Sequence, residues 1–146
     1  MLIMLRAVLI ELLRQLNSIR VKRVSRTKIM KLLYLIDREC KSLYGDSCTK
    51  TKWILWWHGP FSRSVLDVLD ELEISGIVDA DVVDYGDYVA VEYTLINPDY
   101  RVHVDNRTKD MIKKVVEKWG KRDLKRILKH VYSLPEVQKA SLGDEL

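Results

Sequence analysis

The sequence predicts an α+β domain that is mainly helical. Its 146 residues fit one domain that is large enough to bury a hydrophobic core. Apolar residues recur at helical spacing through most of the chain, and short alternating stretches appear only around residues 77–96. We therefore expect a single domain over residues 1–146, in which 1–104 hold helices, a strand and a hairpin, and 105–146 form a C-terminal helical extension.

Two helices are predicted at the start of the chain. Leucines spaced three or four residues apart predict an amphipathic helix over residues 2–16. A basic connector separates this helix from a second one. The second helix begins after Ser25, a suitable N-cap, and reaches about Leu43, just before the stop signal Gly45.

The rest of the chain is organised around the apolar, aromatic run Lys-Trp-Ile-Leu-Trp-Trp-His-Gly-Pro-Phe-Ser, residues 52–62, with three of the four tryptophans and the only phenylalanine. Such a run, bounded by turn residues, predicts a short buried strand to about His58 that turns at Gly59-Pro60. Neighbouring strand residues face opposite ways, so Trp56 and Trp57 cannot share one core layer. Either the strand is covered on both sides, or one tryptophan lies at the surface as an anchor for a partner.

A third helix, a hairpin and two more helices are predicted to follow. Ser62 is placed to cap the third helix, and Gly76 suits the left-handed position after it. Alternating stretches on either side of a Tyr-Gly-Asp turn predict a β-hairpin. The last residues, after Leu134-Pro135, are expected to be loosely held. The predicted bounds are 62–75 for the third helix, 77–84 and 88–96 for the hairpin strands, and 107–119 and 121–132 for the last two helices.

This order of elements is that of a winged helix. We therefore expect a winged-helix-like architecture with about five helices, one short strand and a β-hairpin.

Composition indicates a protein of the cytoplasm. The 47% hydrophobic and 32% charged content is too polar for a membrane span, and the first residues carry no signal-peptide pattern. Cys40 and Cys48 are therefore expected to be reduced thiols rather than a disulfide or a metal site. Three Asn and two Gln beside 46 charged residues suggest a thermophilic host.

The motifs of common enzymes are missing from the sequence. It has no Gly-rich phosphate loop, no His-Glu-x-x-His and no Gly-x-Ser-x-Gly. Asp37 and Glu39 are two residues apart on a helix and face different ways, so they make a poor acid/base pair. His58 lies alone at a turn. We expect no catalytic residues, no metal and no cofactor.

Charge is segregated along the chain, with a net +8 over residues 1–60, −9 over 61–105 and +5 over 106–146. The basic segments are candidates for phosphate contact with nucleic acid, and the alternative is ordinary solvated charge. The third helix is acidic, which argues against its entering a DNA groove. The candidate nucleic-acid-binding residues are Arg20, Lys22, Arg23, Arg26, Lys28, Lys121, Arg122 and Lys125.

Two surfaces are candidates for binding a protein partner. One is the tryptophan segment, Trp56, Trp57, His58, Gly59, Pro60 and Phe61, in which the glycine and proline fix the turn. The other is a basic, semi-aromatic face of the second helix, Lys31, Tyr34 and Arg38, which suits an acidic partner.

The motifs Lys28-Ile-Met-Lys-Leu-Leu-Tyr and Trp57-His58-Gly59-Pro60-Phe61, with Gly45 between them and a helix ending at Gly76 after them, resemble the SocA-like Panacea domain of phage-associated proteins and antitoxins. The resemblance covers about residues 27–76. It implies a non-enzymatic antitoxin module that neutralises a toxin encoded nearby, in some members as a protease adaptor. Separately, residues 76–95 resemble the wing of transcription regulators of the PadR or MarR type.

The favoured function is accordingly an antitoxin-like module that binds a protein partner such as a toxin. Replacing Trp56 by alanine is then expected to weaken partner binding more than it lowers the melting temperature. The alternative is a winged-helix DNA-binding regulator, acting as a homodimer, whose affinity for DNA falls steeply with salt.

Overall fold

A computed structural model describes residues 3–146, and it confirms a mainly helical α+β fold. The described residues form six helices and five strands. In chain order these are α1 Ile3–Ser18, β1 Arg23–Ser25, α2 Arg26–Tyr44, β2 Ile54–Trp56, β3 Gly59–Phe61, α3 Arg63–Ile74, β4 Val78–Asp84, β5 Val89–Leu95, α4 Asn106–Trp119, α5 Leu124–Ser133 and α6 Pro135–Lys139.

The predicted hairpin is confirmed as β4 and β5, which pair antiparallel from Val78 opposite Leu95 to Asp84 opposite Val89. β1 adds to the free edge of β5, so the sheet order is β1-β5-β4. β1 lies in the predicted basic connector and was not predicted as a strand, because three residues are too few to show an alternating pattern.

The tryptophan segment is a hairpin, and the prediction of one buried strand was wrong. β2 pairs antiparallel with β3, with Trp56 opposite Gly59 and Ile54 opposite Phe61. The turn is therefore Trp57-His58 rather than Gly59-Pro60. The turn leaves Trp57 and His58 in solvent, and Trp56 beside them is also exposed, whereas Trp53 is buried.

The core is built around α2, which contacts α4, α5 and β3. Its residues 29–37 are all buried, so this helix is covered on every side and not along one stripe only. Ser25 caps it as predicted, since the Lys28 N–H donates to the Ser25 hydroxyl at 3.1 Å. Gly45 follows it with φ +80°, the left-handed position expected.

Two expectations about loops and ends were wrong. Cys40 and Cys48 form a disulfide, which ties the last turns of α2 to the loop that follows. Leu134-Pro135 ends α5 as predicted, but the residues that follow are not loosely held: Pro135 begins α6, and residues 143–146 are hydrogen-bonded to Trp53 and Leu55. The disulfide and residues 143–146 both hold the chain close to the start of the β2–β3 hairpin.

Candidate partner-binding site

The tip of the β2–β3 hairpin, here called the tryptophan hairpin (residues 54–61), exposes large aromatic side chains. Trp57 is 68% exposed and Trp56 is 43% exposed, while the neighbouring His58 is also open to solvent. The two indole rings lie 5.9 Å apart between centroids. Exposed tryptophans that touch each other are unusual on a soluble surface and are typical of residues that dominate protein interfaces.

The second strand of the tryptophan hairpin is fixed from below by Lys31 of α2. The buried Lys31 ammonium donates to the Pro60 carbonyl oxygen at 2.9 Å. Gly59 has φ +98°, and a Cβ there would lie 3.5 Å from Lys31 Cε and 3.7 Å from the Tyr132 ring of α5. Burial lowers the pKa of Lys31 to about 8. The tip therefore stands on a packed support made by α2 and α5.

The first strand of the hairpin is fixed by Asp37, also on α2. Its buried carboxylate accepts hydrogen bonds from the Cys48 N–H at 3.0 Å, the Thr49 N–H at 2.9 Å and the Trp53 indole N–H at 2.8 Å, as well as from the Thr49 hydroxyl. Burial raises the pKa of Asp37, against these hydrogen bonds, which lower it. The loop between α2 and β2 is thus held by Asp37 as well as by the Cys40–Cys48 disulfide.

The face of α2 that was predicted as a second partner surface is covered by the chain itself, and that part of the prediction was wrong. Lys31 is 3% exposed and Tyr34 is 5% exposed. The Tyr34 hydroxyl donates to Glu136 of α6 at 2.7 Å, and Arg38 Nε donates to the same carboxylate at 2.6 Å. Burial alone would raise the pKa of Glu136, but the hydrogen bonds from Arg38 and Tyr34 outweigh it and lower the pKa. Only Arg38 keeps part of its side chain in solvent.

A groove of about 170 Å³ runs beside the tryptophan hairpin, between β3 and the start of α2. Trp56, His58 and the half-buried Phe61 form one wall, and Met30 and Arg26 lie on the other side. The predicted residues Trp56 to Phe61 are therefore brought together in one surface, with Gly59 and Pro60 buried beneath it. Their role in binding stays a prediction.

The predicted nucleic-acid-binding residues divide into two groups. Three have partners inside the fold: Arg23 pairs with Asp81 at 3.2 Å, Arg26 donates to the Tyr93 hydroxyl at 2.8 Å, and the Lys28 ammonium donates to the Gly120 carbonyl at 2.7 Å. The others are exposed: Arg20, Lys22, Lys121, Arg122 and Lys125.

Sequence reasoning missed Asp37, Tyr132 and Glu136 as supports of the site. Asp37 was considered only as half of a catalytic pair. An acidic residue among the apolar residues of a helix was nevertheless a signal, because a carboxylate in such a position needs hydrogen-bond donors from another element. Nothing in the local pattern pointed to Tyr132 or Glu136, since their partners lie about seventy to one hundred residues away in the sequence.

Over residues 3–146, no three His, Cys, Asp or Glu side chains come together in a group that could hold a metal ion. In the same range, no helix combines the length and the apolar character needed to cross a membrane.

One family model, described as antitoxin SocA-like, Panacea domain, matches residues 29–136, which is most of the chain. The match includes the tryptophan hairpin together with its supports on α2, α5 and α6. The comparisons with curated proteins and with solved structures returned no match.

Proposed function

Because the chain belongs to the Panacea domain family of SocA-like antitoxins, we propose that it is an antitoxin-like module that binds and neutralises a protein toxin. The observation that carries the proposal is the exposed pair Trp56 and Trp57 on a rigid support. This support requires the burial of a lysine and an aspartate, which is energetically unfavourable. The turn that these residues hold in place contributes little to the core. A fixed aromatic tip is ready to bind with little loss of conformational entropy.

In this proposal Trp57 enters a pocket of the partner, and Trp56 and Phe61 line the groove beside it. Truncating a tryptophan at the centre of an interface weakens binding by about 2–4 kcal/mol. In this proposal neutralisation is by binding of the partner and requires no catalytic step by the chain.

The test is co-expression of the chain with the product of the gene next to its own. That neighbouring gene is placed under a promoter strong enough for its product to arrest growth. The intact chain is expected to restore growth. Trp57→Ala is expected to abolish the rescue while the urea midpoint of the purified protein stays within error, because the side chain buries little surface. Tyr88→Ala is the matched control, since Tyr88 is an equally exposed aromatic at the tip of the other hairpin.

Failure of the intact chain to restore growth would contradict neutralisation of that protein. Full rescue of growth by both Trp56→Ala and Trp57→Ala would show that the tryptophan hairpin is not part of the interface.

A second candidate is a winged-helix DNA-binding regulator acting as a homodimer. It is supported by the element order and by the Lys28 ammonium, which joins the start of α2 to the turn after α4. This contact brings the two basic segments, 20–28 and 121–125, next to each other. The acidic outer face of α3 still argues against its entry into a groove.

Titration with duplex DNA at several salt concentrations, with molar mass followed in parallel, tests this candidate. Arg26 and Lys28 are poor choices for substitution because their side chains bond inside the fold, and loss of Arg23 would break its exposed ion pairs with Asp81 and Glu92. Arg20→Ala, Lys22→Ala, Lys121→Ala and Lys125→Ala are each expected to reduce the slope of log K against log salt by about 1. Absence of binding at low salt would refute the candidate.

A further inference from the structure

The outer edge of β2 is occupied by a segment from the far end of the described chain. The Leu55 N–H donates to the Asp144 carbonyl at 2.8 Å, the Gly143 N–H donates to the Leu55 carbonyl at 2.7 Å, and the Leu146 N–H donates to the Trp53 carbonyl at 2.9 Å. Ile54 and Glu145 form an antiparallel bridge. We call residues 143–146 the covering segment, because they lie on this edge as a third strand would.

The edge is built to receive a strand. Leu55 lies opposite Pro60, which has no N–H to offer, and both backbone groups of Leu55 point away from β3. An uncovered edge of this kind recruits extended chains, whose backbone makes the same bonds whatever its side chains are.

The covering segment is held by little else. Of its side chains, only Leu146 packs against the core. Asp144 and Glu145 are exposed, and neither makes an ion pair with any residue in the range 3–146. The remaining contacts run within the segment's own turn, where Ser141 and Asp144 bond to each other. A competing strand therefore has few contacts to replace.

The covering segment also lies outside the part of the chain that is characteristic of the family. The family model matches residues 29–136, which contain β2 but not residues 143–146. The edge thus lies within the matched range, and the covering segment lies outside it.

Charge around the edge indicates what it accepts. A cavity of about 470 Å³ adjoins Trp53 and Leu146, and its wall includes Lys41 and Lys52. The same wall holds four acidic residues. Asp46 and Glu136 are paired with Lys50 and Arg38. Asp37 is buried among its hydrogen-bond donors, and Glu145 belongs to the covering segment itself. Lys41 and Lys52 are exposed and have no ion-pair partner within the described chain. An acidic strand is therefore favoured, with one apolar side chain where Leu146 now packs.

From these observations we propose that the β2 edge is a docking site for an extended acidic segment of the partner protein, which adds antiparallel to β2 and displaces residues 143–146. This inference rests on the proposed function, because it states how the partner of that function is bound. The tip of the tryptophan hairpin and its outer edge then form two adjoining parts of one interface.

The test uses the full chain and a synthetic peptide, acetyl-Ser-Leu-Gly-Asp-Glu-Leu, which has the sequence of residues 141–146. Gly143→Pro with Leu146→Asp releases the cover, since proline lacks the N–H that reaches Leu55 and cannot adopt the φ of +91° found at Gly143. Leu142→Asp is the matched control, because Leu142 is exposed and makes no edge bond. Binding is followed by the amide shifts of Leu55 and Trp56 in ¹⁵N-labelled protein.

The peptide is expected to shift these amides in the released variant and to bind the intact chain and the control at least about tenfold more weakly, since their own cover competes at an effective concentration in the millimolar range. A peptide with N-methylglycine in place of glycine should bind none of the three proteins. If the double variant lacks a native spectrum, Leu146→Asp alone replaces it.

Equal affinity of all three proteins, equal binding of the methylated peptide, or no shift of Leu55 would overturn the proposal. The test contains no toxin, so its outcome is separate from the growth assay. Growth rescue without peptide binding would refute the edge site alone, and peptide binding without rescue would refute the antitoxin role alone.

Discussion

Asp37 shows how much of this surface depends on single buried residues. Its carboxylate is the common acceptor for two backbone N–H groups, one hydroxyl and one indole N–H. These donors lie on the loop that leads from α2 into the tryptophan hairpin. Asp37 therefore holds the start of the hairpin, while Lys31 holds its second strand.

Replacing Asp37 by alanine would leave several buried donors without an acceptor. Since each costs about 1–3 kcal/mol, we expect the free energy of unfolding to fall by at least about 3 kcal/mol. Glu39→Ala is the control, because Glu39 makes a partly exposed ion pair with Lys114 and its loss should cost less than about 1 kcal/mol. Urea unfolding measures both, and similar losses would contradict the anchoring role.

Lys31 makes stability depend on pH in an unusual direction. Its pKa is about 8 in the folded chain and about 10.4 in an unfolded one. Between these values the unfolded state binds a proton that the folded state does not, so the free energy of unfolding rises with pH, by at most about 1.4 kcal/mol per unit. The difference between the intact protein and Lys31→Met, measured by urea unfolding from pH 7 to pH 9.5, isolates this contribution. A difference that stays flat or falls would contradict it.

Among the elements, the two hairpins show what sequence can and cannot predict. β4 and β5 were predicted within one or two residues because alternating side chains flank a glycine turn. In the tryptophan hairpin the turn is Trp57-His58, which has no turn chemistry, while Gly59 and Pro60 belong to β3. Gly59 has a positive φ and packs against Lys31 and Tyr132, two residues far from it in sequence, and no local pattern records that packing.

The prediction of a partner surface on the α2 face with Lys31, Tyr34 and Arg38 was wrong for a related reason. Lys31, Tyr34 and Arg38 have the spacing of a solvent-exposed stripe, and polar residues are rarely buried without partners. Their partners are Pro60 and Glu136, supplied by β3 and α6. Burial by distant elements depends on the tertiary fold, so the pattern within one helix could not predict it.

The disulfide between Cys40 and Cys48 joins α2 to the loop that Asp37 also holds. Reduced cysteines had been expected from the compartment, which carries no information on how close the two residues lie. Closing a loop of this size stabilises a fold by about 2–3 kcal/mol. We expect Cys48→Ser to lose that amount in urea unfolding under oxidising conditions, and dithiothreitol to destabilise the intact protein equally. Destabilisation of the variant by dithiothreitol would show an effect unrelated to this bond.

At the scale of the whole molecule, the segregated charges are partly paired with one another across the fold. Ion pairs between residues far apart in sequence connect the basic first segment to the acidic middle and to the basic last one. These pairs are Arg6 with Glu71, Arg23 with Asp81 and Glu92, Arg38 with Glu136, and Glu39 with Lys114. The oppositely charged patches on the surface are therefore weaker than the separation of charge along the sequence suggests.

Glu136 is the pair member with the widest consequence, because it joins α6 to α2 near the end of the part that the family model matches. Glu136→Ala would leave the buried Tyr34 hydroxyl without its acceptor and Arg38 unpaired, at a cost of about 1–3 kcal/mol. The loss should also be local. Hydrogen exchange is expected to accelerate in residues 135–139 and in the covering segment before it does in α1.

Glu117→Ala, which breaks an exposed pair with Lys113, is the control and should change neither stability nor exchange. Uniform acceleration over the chain would mean that α6 unfolds only with the whole domain, and that no separate release of its end precedes partner binding.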